Sequence, residues 1–215
     1  MSYAPAPFNP YASPGAPGLF PPPGPLPPPP GTPRAPRGTA LTWLCGAAVP
    51  CCAVLLGAWR LGEHLAWPKV ITGLAALGYV AAVLTTLVLS MAWLALAWGD
   101  VPPQLRQGLS PLSAVGRNFI PLYGFVWIFR MVDRLCSTLD AQLAWAGVLQ
   151  RAPRHLGHLA AACTVAGPFL VRPIPALDWL PSLVAHGLWF AYMLRCDAAR
   201  QAIANAQLRA VVELR

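Results

Sequence analysis

The histidines and cysteines are the side chains of this 215-residue chain that are best suited to metal or proton chemistry. His155 and His158 stand three residues apart, so a helix would carry both imidazoles on one face as half of a metal site. Cys163 is the nearest further ligand, and a complete site needs more than these three groups. We therefore predict no metal and no cofactor, and we interpret the two histidines as polar residues at a membrane boundary.

His186 differs from the other histidines because it lies inside a long apolar run. An ionisable side chain within a membrane span is a candidate functional residue, able to relay protons or to line a cavity. Alternatively, a neutral imidazole can hydrogen-bond to another helix, for which Thr85, Thr86 and Ser90 are the candidate partners. We favour the structural role for His186.

No catalytic constellation is visible in the sequence. There is no phosphate-binding glycine loop, no carboxylate pair and no nucleophile close to a base, so we predict no catalytic residues and no enzyme. Six cysteines are too few for a disulfide scaffold in a chain of this length. Cys136 and Cys196 are expected near the inner membrane face, where acylation in a suitable host is an alternative to free thiols.

The elements that would position these residues are long apolar segments. Apolar residues make up 56% of the chain and charged residues only 10%, against about 25% charged residues in soluble domains. A membrane-spanning helix needs about 20 apolar residues, and peptide groups inside a bilayer must be hydrogen-bonded within the helix. We therefore predict an all-α integral membrane protein whose membrane domain covers residues 40–215. Its four spans are 40–59, 70–98, 154–173 and 179–196.

Charge distribution predicts the orientation of these spans. With a cytoplasmic N-terminus, 12 basic residues lie inside and three, Arg60, Lys69 and Arg172, lie outside, as the positive-inside rule expects. A fifth span at 119–129 would reverse much of this asymmetry. The prediction is a cell (inner) membrane protein with both termini in the cytoplasm. The net charge of +8 is spread thinly along the chain, which argues against a nucleic-acid-binding surface.

Residues 111–150 between spans two and three are predicted to lie at the cytoplasmic membrane surface. The pattern becomes amphipathic after Pro121, with Arg130, Asp133 and Arg134 on one helical face, and indicates one or two helices over 122–150. This segment either sits among lipid headgroups or packs against the ends of the spans, and an interfacial or re-entrant course for 119–129 is left open. The candidates for headgroup contact are Arg117, Phe119, Pro121, Trp127, Arg130 and Arg134.

The two ends of the chain have contrasting compositions. Residues 1–39 contain 15 prolines and are predicted to be a disordered tail, since proline blocks both helix and sheet hydrogen bonding. Its Pro-rich run is either a solubilising segment or a docking motif for a protein partner. Residues 197–215 are alanine-rich and are predicted to extend the fourth span as a helix.

One stretch of the chain resembles a known family. Pro111, Ala114 and Val115, followed by Phe119-Ile-Pro121 and Trp127, are similar to the signature of uncharacterised bacterial four-pass membrane proteins, a domain of unknown function. That family has an asparagine at the position of Gly124. The resemblance implies the four-span architecture and no assigned activity.

These patterns together predict a non-enzymatic membrane protein that acts as a scaffold or regulatory partner at the cytoplasmic face. Its predicted partners are membrane lipids and a protein bound through the tail or the interfacial helix, and a homo-oligomer is left open. The alternative is a small oligomeric transporter or channel with His186 near the pathway, since four spans alone enclose little lumen. A lipid-modifying enzyme is a third candidate, and it lacks a nucleophile.

Overall fold

The computed structural model describes residues 36–106, 108–170 and 180–213. Within these ranges the chain is all-helical and contains no strand, which confirms the predicted fold class at that level. The predicted tail falls almost wholly outside the described residues, as do 171–179 and the last two positions. The helices are α1 Thr39–His64, α2 Lys69–Asp100, α3 Pro111–Gly116, α4 Tyr123–Trp145, α5 Arg154–Leu170 and α6 Leu180–Glu213.

Helices α1 and α2 form an antiparallel hairpin, and these two helices are long and apolar enough to cross a membrane. Only 22% of the most apolar stretch of each helix is buried within the protein. A helix that is apolar on all sides is normally covered, either by a protein core or by lipid. Since the protein itself covers little of α1 and α2, their composition suggests membrane association.

Helices α5 and α6 form the second hairpin and are less apolar. Helix α5 has 17 residues, and α6 carries His186, Arg195 and Asp197 within its first 18 residues, so neither has the length and composition shown by α1 and α2. Helix α6 runs for 34 residues, or about 51 Å. The predicted fourth span and its helical extension are therefore one continuous helix as far as Glu213.

Helix α4 packs against α5 and α6 through a single apolar face. It begins at Tyr123, two residues after Pro121, as the proline position predicted. Its buried residues are Trp127, Met131, Val132, Leu135, Cys136, Thr138, Leu139 and Leu143. This burial favours packing against the other helices, rather than immersion in headgroups, for 127–143.

Candidate functional site

Three regions hold the functional candidates: the start of α4, a buried cluster of charges, and a cavity that contains His186. At the start of α4, Trp127 is buried and its Nε1 donates a hydrogen bond to the Ala114 carbonyl at 2.7 Å. The guanidinium carbons of Arg117 and Arg134 lie 4.8 and 5.6 Å from the indole centroid, a cation–π arrangement. Trp127 therefore joins α3 to α4 beneath two arginines, and its assignment as a headgroup contact is corrected.

Of the other predicted interfacial residues, Arg117 and Arg134 are half-buried and the remaining three are exposed. Phe119 is 66% exposed, and Pro121 and Arg130 are also exposed. Phe119 is one of six large apolar side chains that are exposed in this segment, which we call the apolar corner: Leu112, Phe119, Ile120, Leu122, Phe125 and Val126. Exposed apolar side chains close to arginines are typical of membrane-surface segments.

Gly124 occupies the position at which the resembling family has an asparagine. Its amide donates to the Ile120 carbonyl at 2.8 Å, and a Cβ at this position would overlap the backbone oxygen of Asn118. An asparagine side chain at 124 therefore requires the backbone to move. The polar group in this turn is Asn118 instead, whose Nδ2 donates to the Val115 carbonyl at 3.1 Å.

A buried charge cluster that the sequence analysis did not identify joins α1, α2 and α6. The carboxylate of Asp197 accepts hydrogen bonds from Thr42 Oγ1 at 2.6 Å, from Trp93 Nε1 at 3.0 Å and from Arg200 Nη1 at 2.7 Å. Each donor compensates part of the cost of burying the carboxylate. Asp197 is thus a shared acceptor for three helices.

Arg200 extends this cluster to the start of α1 and the end of α2. Its Nη2 donates to Asp100 Oδ2 and to the Arg37 carbonyl. Arg37 in turn donates from its backbone amide to Asp100 Oδ2 at 3.0 Å, and its Nε lies 3.1 Å from Asp100 Oδ1. We call Arg37, Asp100, Asp197 and Arg200 the Asp197 cluster, in which two acids balance two bases. The spacing of Asp197 and Arg200, three residues apart on one helix, is the sequence signal that could have indicated it.

A second set of charges, the Asp133 cluster, joins α4 to α5. It consists of Asp133, Asp140, Arg154 and His158, with His158 Nε2 3.1 Å from Asp133 Oδ1 and Arg154 Nη2 3.5 Å from Asp140 Oδ2. His155 is exposed, so the two predicted histidines do not converge on one site. In the part of the chain that the structure describes, no group of three or more metal-ligating side chains is placed to hold an ion.

Cys136 and Cys196 are both fully buried, so neither thiol is accessible for acylation, and the structure favours free thiols. Cys136 Sγ lies 3.7 Å from the Tyr192 hydroxyl. Burial raises the pKa of the Cys136 thiol from its ordinary value of 9.0 to about 11. The thiol is therefore protonated and unreactive at physiological pH.

His186 lines a cavity of about 350 Å³ between the two helical hairpins. Its Nδ1 lies 2.6 Å from the Ser182 carbonyl on its own helix. None of the three candidate partners on α2 is hydrogen-bonded to His186: Thr85 and Thr86 donate to carbonyls one turn earlier in α2, and Ser90 contacts Cys45. The cavity places His186 beside Thr86 and Ser90 without a direct bond.

No protein-family model, no curated protein and no solved structure matches the chain. The resemblance seen in 111–130 therefore stays a prediction.

Proposed function

We propose that the chain is a four-span integral membrane protein whose cytoplasmic end presents a helical platform that acts as a scaffold or regulatory interaction module. The spans are 40–59, 70–98, 154–173 and 179–196, with both termini in the cytoplasm. The platform is α3, α4 and the second half of α6, and its role is non-enzymatic.

The exposed faces of α1 and α2 support the membrane assignment. Large apolar side chains stand exposed along both helices: Trp43, Leu44, Val54, Val70, Leu74, Leu77, Leu84 and Val88. Exposed apolar patches on soluble monomers rarely exceed a few hundred Å². Exposed apolar side chains along the whole length of two helices are explained if these faces are in contact with lipid.

The Asp197 cluster carries the argument for orientation. It brings together Arg37 before the first span, Asp100 after the second and Arg200 after the fourth. The four-span topology requires these three positions to lie on the same side of the membrane, and the positive-inside rule favours the cytoplasm.

The platform is supported by the way α4 is buried. Leu135, Leu139 and Leu143 are fully covered by other helices, whereas Arg130 and the apolar corner stay exposed. A rigidly packed helix with one exposed basic and apolar end is suited to contact lipid phosphates or a partner protein.

Reporter fusions test the topology. Alkaline phosphatase and a fluorescent protein, fused after residues 66, 108, 175 and 215, should report outside, inside, outside and inside. Reporters at 108 and 215 on opposite sides would overturn the four-span proposal. A chain that leaves membranes in alkaline carbonate would overturn membrane insertion.

Site-directed photo-crosslinking in native membranes tests the platform. A photoreactive amino acid in place of Arg130 should give protein adducts, whereas the same group in place of Leu84 should give lipid adducts. Changing Arg117 and Arg134 to glutamate should reduce the adducts formed at position 130. Lipid adducts alone at both positions would contradict a protein-binding scaffold.

A transport function is the second candidate, favoured by the position of His186 in the cavity wall. Trp93 lines the same cavity, packs edge-on against Tyr192 and is hydrogen-bonded to Asp197, which blocks the cavity on the side of the charge cluster. A transporter must open this contact. Solute flux in proteoliposomes that His186→Phe abolishes would favour transport over the scaffold role.

A further inference from the structure

The cavity lies where the two helical hairpins are held apart. Helices α1 and α2 pack closely, as do α5 and α6, and the hairpins meet chiefly through α1 and α6. Helices α2 and α6 are bridged at two levels, by Tyr79 Oη and Ser182 Oγ 3.2 Å apart and by Trp93 and Asp197. Along α6 the cavity wall extends from Pro181, next to the first bridge, to Met193, one turn before the second, about 18 Å along the helix axis. The space is therefore elongated and has the size of a small ligand pocket.

The cavity wall is mostly apolar, and its side-chain hydroxyl groups already hydrogen-bond within the protein. Thr86 bonds to the Ala82 carbonyl, Ser90 contacts Cys45, Thr164 accepts from Trp189, and Ser182 contacts Tyr79. An apolar cavity of about 150 Å³ already stays dry and binds small apolar molecules. This larger cavity therefore favours an occupant that is apolar over most of its length.

His186 supplies one unused acceptor in this wall. Because a carbonyl oxygen can only accept, the 2.6 Å contact with Ser182 means that Nδ1 carries the proton. In the neutral ring, Nε2 then has a free lone pair, and it has no hydrogen-bond partner among the residues that the structure describes. It can accept a hydrogen bond from an O–H group of a bound molecule.

The opening of the cavity faces sideways. Leu87 on α2 and Thr164 on α5 both line the cavity and are both exposed, so the mouth lies between these helices. Leu84 and Val88, adjacent on α2, are exposed as well. If this face lies in lipid, as proposed above, a molecule reaches the cavity from the bilayer and not from water.

We propose that this cavity binds a single-chain apolar molecule with a terminal hydroxyl, of the long-chain alcohol class. The hydrocarbon chain lies between α2 and α6, and the hydroxyl donates a hydrogen bond to His186 Nε2. This inference rests on the proposed membrane location of the protein, and it adds a binding site to the scaffold role.

The test uses the full-length protein in phosphatidylcholine nanodiscs with a photoactivatable dodecanol analogue. Labelling should map to peptides of α2 and α6 that line the cavity, and dodecanol should compete while dodecane at the same concentration should not. His186→Phe should weaken dodecanol binding about tenfold, because it removes the only hydrogen bond to the hydroxyl and keeps a ring of similar size.

Two further variants control for folding and location. Val83→Phe fills the cavity, in whose wall Val83 lies, and should abolish labelling while leaving His186 in place. His158→Phe changes a histidine that is paired with Asp133 outside the cavity and should leave labelling unchanged. Each variant is compared with the wild type by helical content and monodispersity.

Equal labelling of the wild type and Val83→Phe would overturn the proposal, as would equal competition by dodecane and dodecanol. Failure of the chain to sediment with membranes would overturn the proposed function and this inference together. Membrane-inserted protein that shows no competed labelling would overturn the binding site alone.

Discussion

The Asp197 and Asp133 clusters have nearly the same composition and different surroundings. Each contains two aspartates and two basic side chains. In the first, the side chains of Arg200 and Asp197 are 6% and 10% exposed, and Asp100 and Arg37, at 23% and 57%, lie towards its edge. In the second, the side chains of Arg154 and Asp133 are 41% and 50% exposed.

The difference teaches that burial, and not the number of charges, decides what a cluster contributes. An exposed ion pair contributes about 0–1 kcal/mol, because water competes and side-chain entropy is lost. Removing one partner of a buried pair costs about 3–5 kcal/mol, because a charge is left without compensation. The Asp197 cluster should therefore hold the helices in one arrangement, and the Asp133 cluster should be dispensable.

The largest expected effect is that of Asp197→Ala. This variant leaves the Arg200 guanidinium with one carboxylate and removes the acceptor of the hydrogen bonds from Thr42 and Trp93. We therefore expect the free energy of unfolding to fall by about 3–5 kcal/mol. Unfolding by SDS in mixed micelles, followed by tryptophan fluorescence, measures it. Asp197→Leu combined with Arg200→Met should recover part of the loss, since no charge is then left unpaired. A loss below 1 kcal/mol for Asp197→Ala would break the comparison.

A buried thiol extends the comparison to a neutral group. The pKa of the Cys136 thiol is about 11 in the folded protein, against an ordinary value of 9.0 for a cysteine. The folded state therefore binds this proton more tightly than the unfolded chain does. The contribution of this protonated thiol to the free energy of unfolding is complete below pH 9. It is lost as the pH rises from about 9 to 11, because the thiol of the unfolded chain ionises first. The loss is at most about 3 kcal/mol. The measurement is the difference in unfolding free energy between wild type and Cys136→Ala as a function of pH. A difference that stays constant from pH 8 to 11 would show that burial does not hold this proton.

The contact between α4 and α5 tests whether packing or charge joins these helices. A Cβ on Gly157 would lie 2.5 Å from Val132 Cγ1 and 2.7 Å from Tyr192 Cε2. Gly157→Ala should therefore destabilise the protein by about 1–3 kcal/mol through overpacking. Gly187→Ala is the matched control, because its Cβ meets open space. Equal stability of the two variants would mean that this junction is loosely packed.

The smallest effect is expected for Asp133→Ala. Its partners Arg154 and His158 stay partly solvated. The free energy of unfolding should therefore fall by less than about 1 kcal/mol, and by still less at high salt. Asp140→Ala should cost more, because Asp140 Oδ1 also accepts from the backbone amide of Ala152 at 2.7 Å. A loss for Asp133→Ala as large as that for Asp197→Ala would remove the distinction between the clusters.

Much of the local structure could be predicted from the sequence. Pro121 predicts the start of α4, and the apolar runs predict the bodies of the long helices. Helix starts and apolar runs can be predicted because each depends only on residues that are neighbours in the chain. The sequence predicts Trp127 at the lipid surface, because an aromatic residue beside arginines fits a membrane surface as well as it fits a buried contact. Its burial depends on Ala114 of α3, which lies against it only when the chain turns back at 117–122.

By itself, the sequence determined which segments are helical and which of them are apolar on every side, because hydrogen bonding within a helix and hydropathy are local properties. Only the tertiary structure decided which charges are buried and where a cavity remains. Arg37 and Arg200 are 163 positions apart, and Asp100 lies between them in the chain. Their contact, like the space beside His186, exists only once the two hairpins pack, because burial is a property of the assembled helices.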